Sequence, residues 1–303
     1  MTTTAVAKPT GPTGAQRRRS GHLKDPSRAG WPIKIAVAVL VFLWFMPTLG
    51  LFVTSFRTVD GANTSGWWTS FLPSQWGTFT LGNYGDAMSQ ANLGQAFMNT
   101  VAIALPATFI PIMIAAIAAY AFTFMEFPGR DIFFVVIVSM LVVPNFVALV
   151  PIQSIYDQLG MTGFPKVWLA HIGFGMSLAV YILRNFMATL PKSVIESAKI
   201  DGASHYQTFY RLVLPMSMPA LASFAIFQFL WVWNDFMVAL IFVGPGKYAP
   251  LTVAIKNNLL SQQGAGWNLV TAGGFFSMIV PIAVFLFLQR YFVRGMTSGA
   301  VKG

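Results

Sequence analysis

Glu196-Ser-Ala-Lys-Ile-Asp-Gly-Ala-Ser204, followed by Leu212-Val-Leu-Pro215, is a polar, charge-bearing segment in a chain that has very few others. Of 303 residues, 55% are hydrophobic and 9% charged, whereas an ordinary soluble domain is about one quarter charged. With a mean hydropathy of +0.64, this is the composition of a membrane protein. The segment is patterned as structure rather than linker. Ser193-Val-Ile-Glu196 has the spacing of a capping box just after Pro191, which predicts a helix from Ser193 to Ile200. Asp201-Gly202 should end it, because glycine takes the left-handed conformation without steric cost. A second box, Ser204-His-Tyr-Gln207, should start another helix, with Tyr206, Phe209, Tyr210 and Val213 forming one apolar stripe. Pro215 and Pro219 then punctuate the way into the next apolar run. Two short helices joined at a glycine make a knob, which either transmits force to something that grips it or lies on the bilayer surface. Caps and periodicity do not separate these two roles.

Outward from this segment, the charges mark off six apolar stretches. Ile35 to Phe56, Gln95 to Met125 and Ile132 to Tyr156 carry no charge, and Val167 to Leu183 is a shorter fourth. The fifth runs from about Ala220 to Val243 and holds one acid, Asp235; the sixth lies within Asn257 to Gln289. In lipid such stretches must be helical, since no water is present to satisfy open backbone groups. The reading is an all-α polytopic membrane protein with spans at about 33–56, 97–124, 132–153, 167–186, 220–243 and 268–290. An N-terminus-in orientation puts fifteen of the nineteen Lys and Arg residues inside, leaving Arg57, Lys166, Lys247 and Lys256 outside. Both termini should therefore be cytoplasmic, and so should the segment at 190–219.

The first apolar run is too long for a signal-peptide core and reads as a retained anchor. Residues 1–32 read as a disordered basic tail, with Arg17-Arg-Arg19 as a topology signal or a site for anionic lipid. Residues 33–292 form the membrane domain and 293–303 a short cytoplasmic tail. Gly66-Trp-Trp68, Trp76 and Tyr84, in the loop from Arg57 to Leu93, fit the headgroup level better than a sugar-stacking platform. The net charge of +10 is segregated by loop, which argues for a membrane and against nucleic acid. The absence of cysteine excludes disulfides and thiolate chemistry, and His22, His171 and His205 are too scattered for a metal cluster. His171 has no evident partner and reads as a packing residue. Gly244-Pro-Gly-Lys247 lacks the spacing of a phosphate-binding loop, so any ATP must be hydrolysed by another chain. The stretch from Gly244 to Trp267 is either a solvated connection or a surface for an outside partner.

The pattern Glu196-x-Ala-x-x-Asp-Gly-Ala203, with Leu214-Pro215 beyond it, resembles the EAA motif of ATP-binding-cassette importer permeases. Ala119-Tyr-Ala-Phe122, Phe127-Pro-Gly-Arg130, Pro144, Pro151, Leu159-Gly160, Trp233-Asn-Asp-Phe236 and Gly299-Ala-Val-Lys-Gly303 extend the likeness over residues 33–303. They resemble carbohydrate permeases of the maltose type, more specifically the MalG-like subunit of the pair. Ser197, where alanine is usual, and Met161-Thr-Gly-Phe164 depart from the pattern. The resemblance implies the type I importer permease fold in the bacterial cytoplasmic membrane. It also implies a non-catalytic subunit, with no cofactor of its own and with ATP and Mg²⁺ held by partners. Those partners would be a homologous permease, two cytoplasmic ATPase subunits, an extracytoplasmic sugar-binding protein and membrane lipid. The EAA helix would dock on an ATPase: Glu196 as the charged contact, Ser197, Ala198 and Ala203 allowing close approach, Gly202 making the bend. Leu212, Leu214 and Pro215 would anchor the knob. Asp201 would either cap the junction or meet the ATPase, and the C-terminal tail is a further place of contact. Ser65-Gly-Trp-Trp68 resembles α-glucoside permeases, which points the substrate toward oligosaccharides or α-glucosides.

Asp235, inside the fifth stretch, is costly in hydrocarbon and must face a bundle interior or water. With Trp233 and Asn234 it is a candidate for the substrate pathway; the competing role is a structural polar contact between helices. An ion-gradient-driven secondary transporter is the rival function, but it would need more intramembrane acids and visible repeat halves.

Overall fold

The computed structural model describes residues 30–260 and 266–297, with side chains as far as Gln289. The tail expected at 1–32, with Arg17 to Arg19, and the terminal motif Gly299 to Gly303 therefore lie wholly or almost wholly outside the described residues. Among those described the chain is helical, its single β-bridge joining Arg57 to Phe79.

Among the described residues fourteen α-helices follow in order: α1 Trp31–Ser55, α2 Val59–Thr64, α3 Gly82–Gln90, α4 Leu93–Phe124, α5 Arg130–Ser139, α6 Asn145–Gln158 and α7 Phe164–Met187. Then come α8 Lys192–Ile200, α9 His205–Thr208, α10 Leu214–Met216, α11 Met218–Trp233, α12 Met237–Phe242, α13 Leu251–Leu259 and α14 Trp267–Thr297. The chain divides into two units at Thr48–Leu49, within α1. The first unit's part of α1 is exposed from Trp31 to Phe45 and, beyond Lys34, apolar all round, as a helix in lipid can be.

In the second unit α4 packs along α7, α11 lies against both, and α14 packs on α11. The approach is close because α4 turns small residues inward: Ala96, Ala104, Ala107, Ala115, Ala116 and Ala119 are all at most 3% exposed. Without a hydrophobic drive between helices in lipid, this tight packing supplies the cohesion. The buried residues form two large clusters along the helices. One gathers Leu93, Ala104, Leu149, Val167, Trp233 and Leu251, and the other gathers Ala116, Leu183, Ile195, Phe209 and Phe224.

Four helices are long and apolar enough to cross a membrane (α1, α4, α7 and α14), and two bent pairs bring the candidates to six. The third and fifth stretches therefore depart from the continuous spans expected of them. In the third, α5 and the 3₁₀ turn Met140–Val142 meet α6 at 103°. Pro144 explains the break: it has no N–H to continue the ladder, and it holds Val143 extended (φ −73°, ψ 121°). The fifth stretch breaks at Asn234-Asp235-Phe236 between α11 and α12. The second bent pair joins His205–Met216 to α11 at 70°.

The stretches between spans are also more built than a loop reading suggests. Arg57 is 1% exposed and donates to Ser65 O at 2.8 Å and Ser65 Oγ at 2.6 Å. Buried Asn83 donates to Ser55 O and Arg57 O, and accepts from Asn268 Nδ2 at 2.9 Å. Trp68 and Trp76 stay 64% exposed. Between Gly244 and Trp267 lies α13, with Leu251, Val253, Ala254 and Leu259 buried, so much of this segment is packed rather than solvated. Asn99 on α4 ties it down by donating to Lys247 O and Ala249 O. Lys166, 8% exposed, holds the start of α7 to Asp157 at the end of α6.

Candidate functional site

The knob forms as two helices, with one of its two predicted caps. α8 starts at Lys192 with Pro191 at the N-cap and no side-chain cap bond. Ser193 is thus already inside the helix, and the capping box with Glu196 does not form. The proline wins because its missing N–H and fixed φ suit a helix start. The far end follows the sequence closely. Gly202 has φ +80°, its N–H reaches Lys199 O at 3.1 Å, and Ala203 N–H reaches Ala198 O at 2.9 Å. These two bonds make a Schellman motif, which satisfies carbonyls that the helix end would leave open. The second box is complete: Ser204 Oγ accepts from Gln207 N–H, and Gln207 Oε1 accepts from Ser204 N–H.

The knob has an inner and an outer face. Ile195, Ala198, Thr208, Phe209 and Val213 are buried. Glu196, Ser197, Asp201 and Gly202 are exposed, Ala203, Leu212 and Leu214 half-buried, and Pro215 exposed. Ala198 therefore packs into the chain's own fold. Glu196 makes no hydrogen bond or ion pair to the described residues. The expected stripe splits, with Phe209 and Val213 inside while Tyr206 and Tyr210 stack on each other outside at 4.5 Å. The cause is a π-helical turn over Phe209–Val213, closed by Leu214 N–H to Phe209 O, which breaks the 3.6-residue period. The knob is pinned to α4 by Tyr120, whose hydroxyl lies 3.0 Å from His205 Nδ1 and whose ring packs on Phe209 at 5.3 Å.

The second feature lies between α7 and the break after α11. Asp235 accepts from Val238 N–H at 3.3 Å and Ala239 N–H at 2.9 Å, stabilising the first turn of α12. Its backbone carbonyl accepts from Thr252 Oγ1 at 2.6 Å, tying α13 to the break. His171, fully buried, places Nε2 3.7 Å from Asp235 Oδ2 and its ring edge-on to Trp231 at 5.5 Å. Neither ring nitrogen makes a hydrogen bond to the described residues, so the two are near neighbours, an adjacency hidden in the sequence by the 64 positions that separate them. The three pathway candidates are not brought together. Trp233 is 3% exposed, packs on Phe97 and Phe229, and donates Nε1–H to Ser277 O. Asn234 is exposed and folds back onto Leu230 O. Asp235 alone of the three borders a cavity of about 500 Å³.

That cavity is bordered by Gln228, a residue that no motif or spacing singles out. Gln228 is fully buried; Nε2 donates to Ala107 O at 3.1 Å and His171 O at 3.4 Å, and Oε1 has no partner. Gly175 makes room for it, since a Cβ there would lie 2.7 Å from Oε1 and 2.8 Å from Nε2. Gly175→Ala should displace this amide and destabilise the fold by about 1–3 kcal/mol, read as a lower thermal midpoint of the purified protein. An unchanged midpoint would show that the amide has another place to go. Among the described residues no three His, Asp or Glu side chains converge as a metal site.

Residues 111–298 match the family model described as "Binding-protein-dependent transport system inner membrane component". The osmoprotective compounds uptake permease protein GgtD of Synechocystis sp. is 51% identical over 89% of this chain and 92% of its own length. The alpha-glucoside transport system permease protein AglG of Rhizobium meliloti is 35% identical over 92% of this chain and 100% of its own. Among solved structures, a bacterial ABC transporter that imports the acidic polysaccharide alginate aligns with a TM-score of 0.70 and 18% identity. It covers 86% of this chain and 95% of the matched one, a likeness of fold alone.

Proposed function

Since the chain belongs to the family of binding-protein-dependent transport system inner membrane components, we propose that it is one membrane half of an ATP-driven sugar importer. It is a permease of the ATP-binding-cassette class, set in the bacterial membrane. A homologous permease completes the pathway, two cytoplasmic ATPase subunits hold ATP and Mg²⁺, and an extracytoplasmic binding protein delivers the sugar. The four long helices and two bent pairs act as six spans with both termini inside. The relatives named for osmoprotective compounds and for alpha-glucosides support a small α-glucoside as cargo.

One observation carries the coupling role: a two-helix knob, closed by a Schellman turn, presents Glu196 outward with no partner among the described residues. In this reading Glu196 meets the ATPase, with Ser197 and Asp201 beside it on the exposed face. Gly202 sets the turn, and the small Ala203 lets the ATPase come close. Ala198 lets the knob sit tightly on its own bundle. Leu212 and Leu214, with Pro215 following, root it on the fifth span. Closure of the ATPase pair then pulls on the knob, and Tyr120 passes the load to α4. Asp235 belongs to the substrate pathway, with Trp233 and Asn234 as its scaffold.

The test is co-purification from cells expressing the tagged chain with its transport partners. The expected result is a complex with a second permease and an ATPase, whose ATP hydrolysis rises severalfold with a sugar-loaded binding protein. Transport by this chain alone in liposomes, driven by an ion gradient, would defeat the reading.

A further inference from the structure

The cavity beside Asp235 is walled by groups that hydrocarbon cannot satisfy. Gln228, among the lining residues, has Nε2 engaged with two main-chain carbonyls and a buried Oε1 that lacks a donor among the described residues and lies against Gly175, which also lines the cavity. Asp235 keeps lone pairs beyond its two bonds to α12, and Ser177 and Asn145 add two more polar side chains. Facing lipid, each such group would cost several kcal/mol, so this wall meets water or a polar ligand. The remaining lining includes Trp231, Phe227 and Phe174. Its volume of about 500 Å³ is in the range of small-molecule sites, roughly 300–1,000 Å³.

These groups specify a ligand. One buried acceptor without a donor and a carboxylate with lone pairs to spare call for O–H groups, and aromatic side chains beside them call for a C–H face. Together they describe a neutral pyranose. No Lys or Arg is among the described residues that line the cavity, while Asp235 is; an acidic sugar would bring its carboxylate toward a carboxylate with no cation to offset it. We infer that this subunit itself holds a glycosyl unit in the cavity, with Gln228 and Asp235 accepting from its hydroxyls, and that the cavity selects neutral sugars over uronates. The inference rests on the importer reading above and adds the place and the charge class of its cargo.

The full importer, reconstituted in liposomes with its binding protein, tests this with radiolabelled sucrose, trehalose and maltose, and with an α-linked glucuronide. Gln228→Leu and Asn145→Ala should each lower the neutral sugar moved per ATP hydrolysed by fivefold or more, and Asp235→Asn should raise the glucuronide-to-sucrose uptake ratio. Because the chain has no cysteine, Ser177→Cys adds a readout that does not depend on transport rate. Its alkylation by N-ethylmaleimide, followed on peptides of this chain, should slow at least threefold when saturating neutral sugar is present during turnover. Sugar-to-ATP ratios within twofold of wild type in both cavity variants, or alkylation indifferent to sugar, would overturn the inference while leaving the importer reading intact. A wild-type assembly without ATP-dependent uptake of any of the four would overturn both.

Discussion

Glu196→Gln is expected to weaken docking of the ATPase pair about 10- to 100-fold and to lower ATP-driven uptake accordingly. The magnitude follows from a hydrogen bond to a charged group, about 1.5–3 kcal/mol, at about 1.4 kcal/mol per tenfold. The structure makes this substitution a clean one. The capping box that would have given Glu196 a local task is absent, because α8 begins at Lys192 behind Pro191. Glu196 is exposed, so the thermal midpoint of the permease pair should move by no more than about 1 °C. Measuring ATPase binding to the permease pair in nanodiscs decides it. Docking within twofold of wild type would remove Glu196 from the contact and leave the knob to act through shape.

Asp235→Ala carries the second large effect, on stability. It removes the acceptor of two backbone N–H groups at the start of α12, and Val238 and Ala239, which carry them, are buried. Loss of a helix-start acceptor costs about 0.5–2 kcal/mol, and an unsatisfied buried polar group about 1–3 kcal/mol. The thermal midpoint should fall by about 5–10 °C. Asp235→Asn keeps one acceptor oxygen and should lose less than half of that. Equal losses for the two variants would mean that the charge opposite His171 matters and the acceptor geometry does not.

Much of this fold was legible because hydrocarbon leaves the backbone so few options. The charge-free runs became helices, and Gly202 and the Ser204 box took the conformations that their chemistry demands. The interruptions were harder to read. Pro47, Pro106, Pro111, Pro151 and Pro281 all sit inside helices, while Pro144 stands at a 103° bend. A proline removes one bond anywhere, and only the surroundings decide whether the helix carries on. At Asn234-Asp235 the break needed a carboxylate to organise the turn that follows, a fact visible only once Val238 and Ala239 are in place. For the site, the exposure of Glu196 and Asp201 accords with their charge, whereas Ala198, expected on the contact face, packs inward. The partnership of His171, Gln228 and Asp235 did not, since it depends on α7 and α11 lying side by side. Nor does any local pattern mark Gly175 as the residue that leaves space for an amide on another helix. Trp233 was a reasonable candidate from its neighbours, but its ring serves the core.

The five-residue turn at Phe209–Val213 has a geometric consequence for how the motor is linked to the gate. Each α-helical residue advances the chain by about 100° around the axis, so a turn holding one residue more than usual offsets everything on one side of it by that angle. The azimuth of the knob about the His205–Met216 axis is therefore written in a count of residues as well as in the side chains that pin it. The five positions can change identity and keep the linkage in phase, whereas inserting or deleting one residue there would turn the knob by about 100° around the axis of His205–Met216.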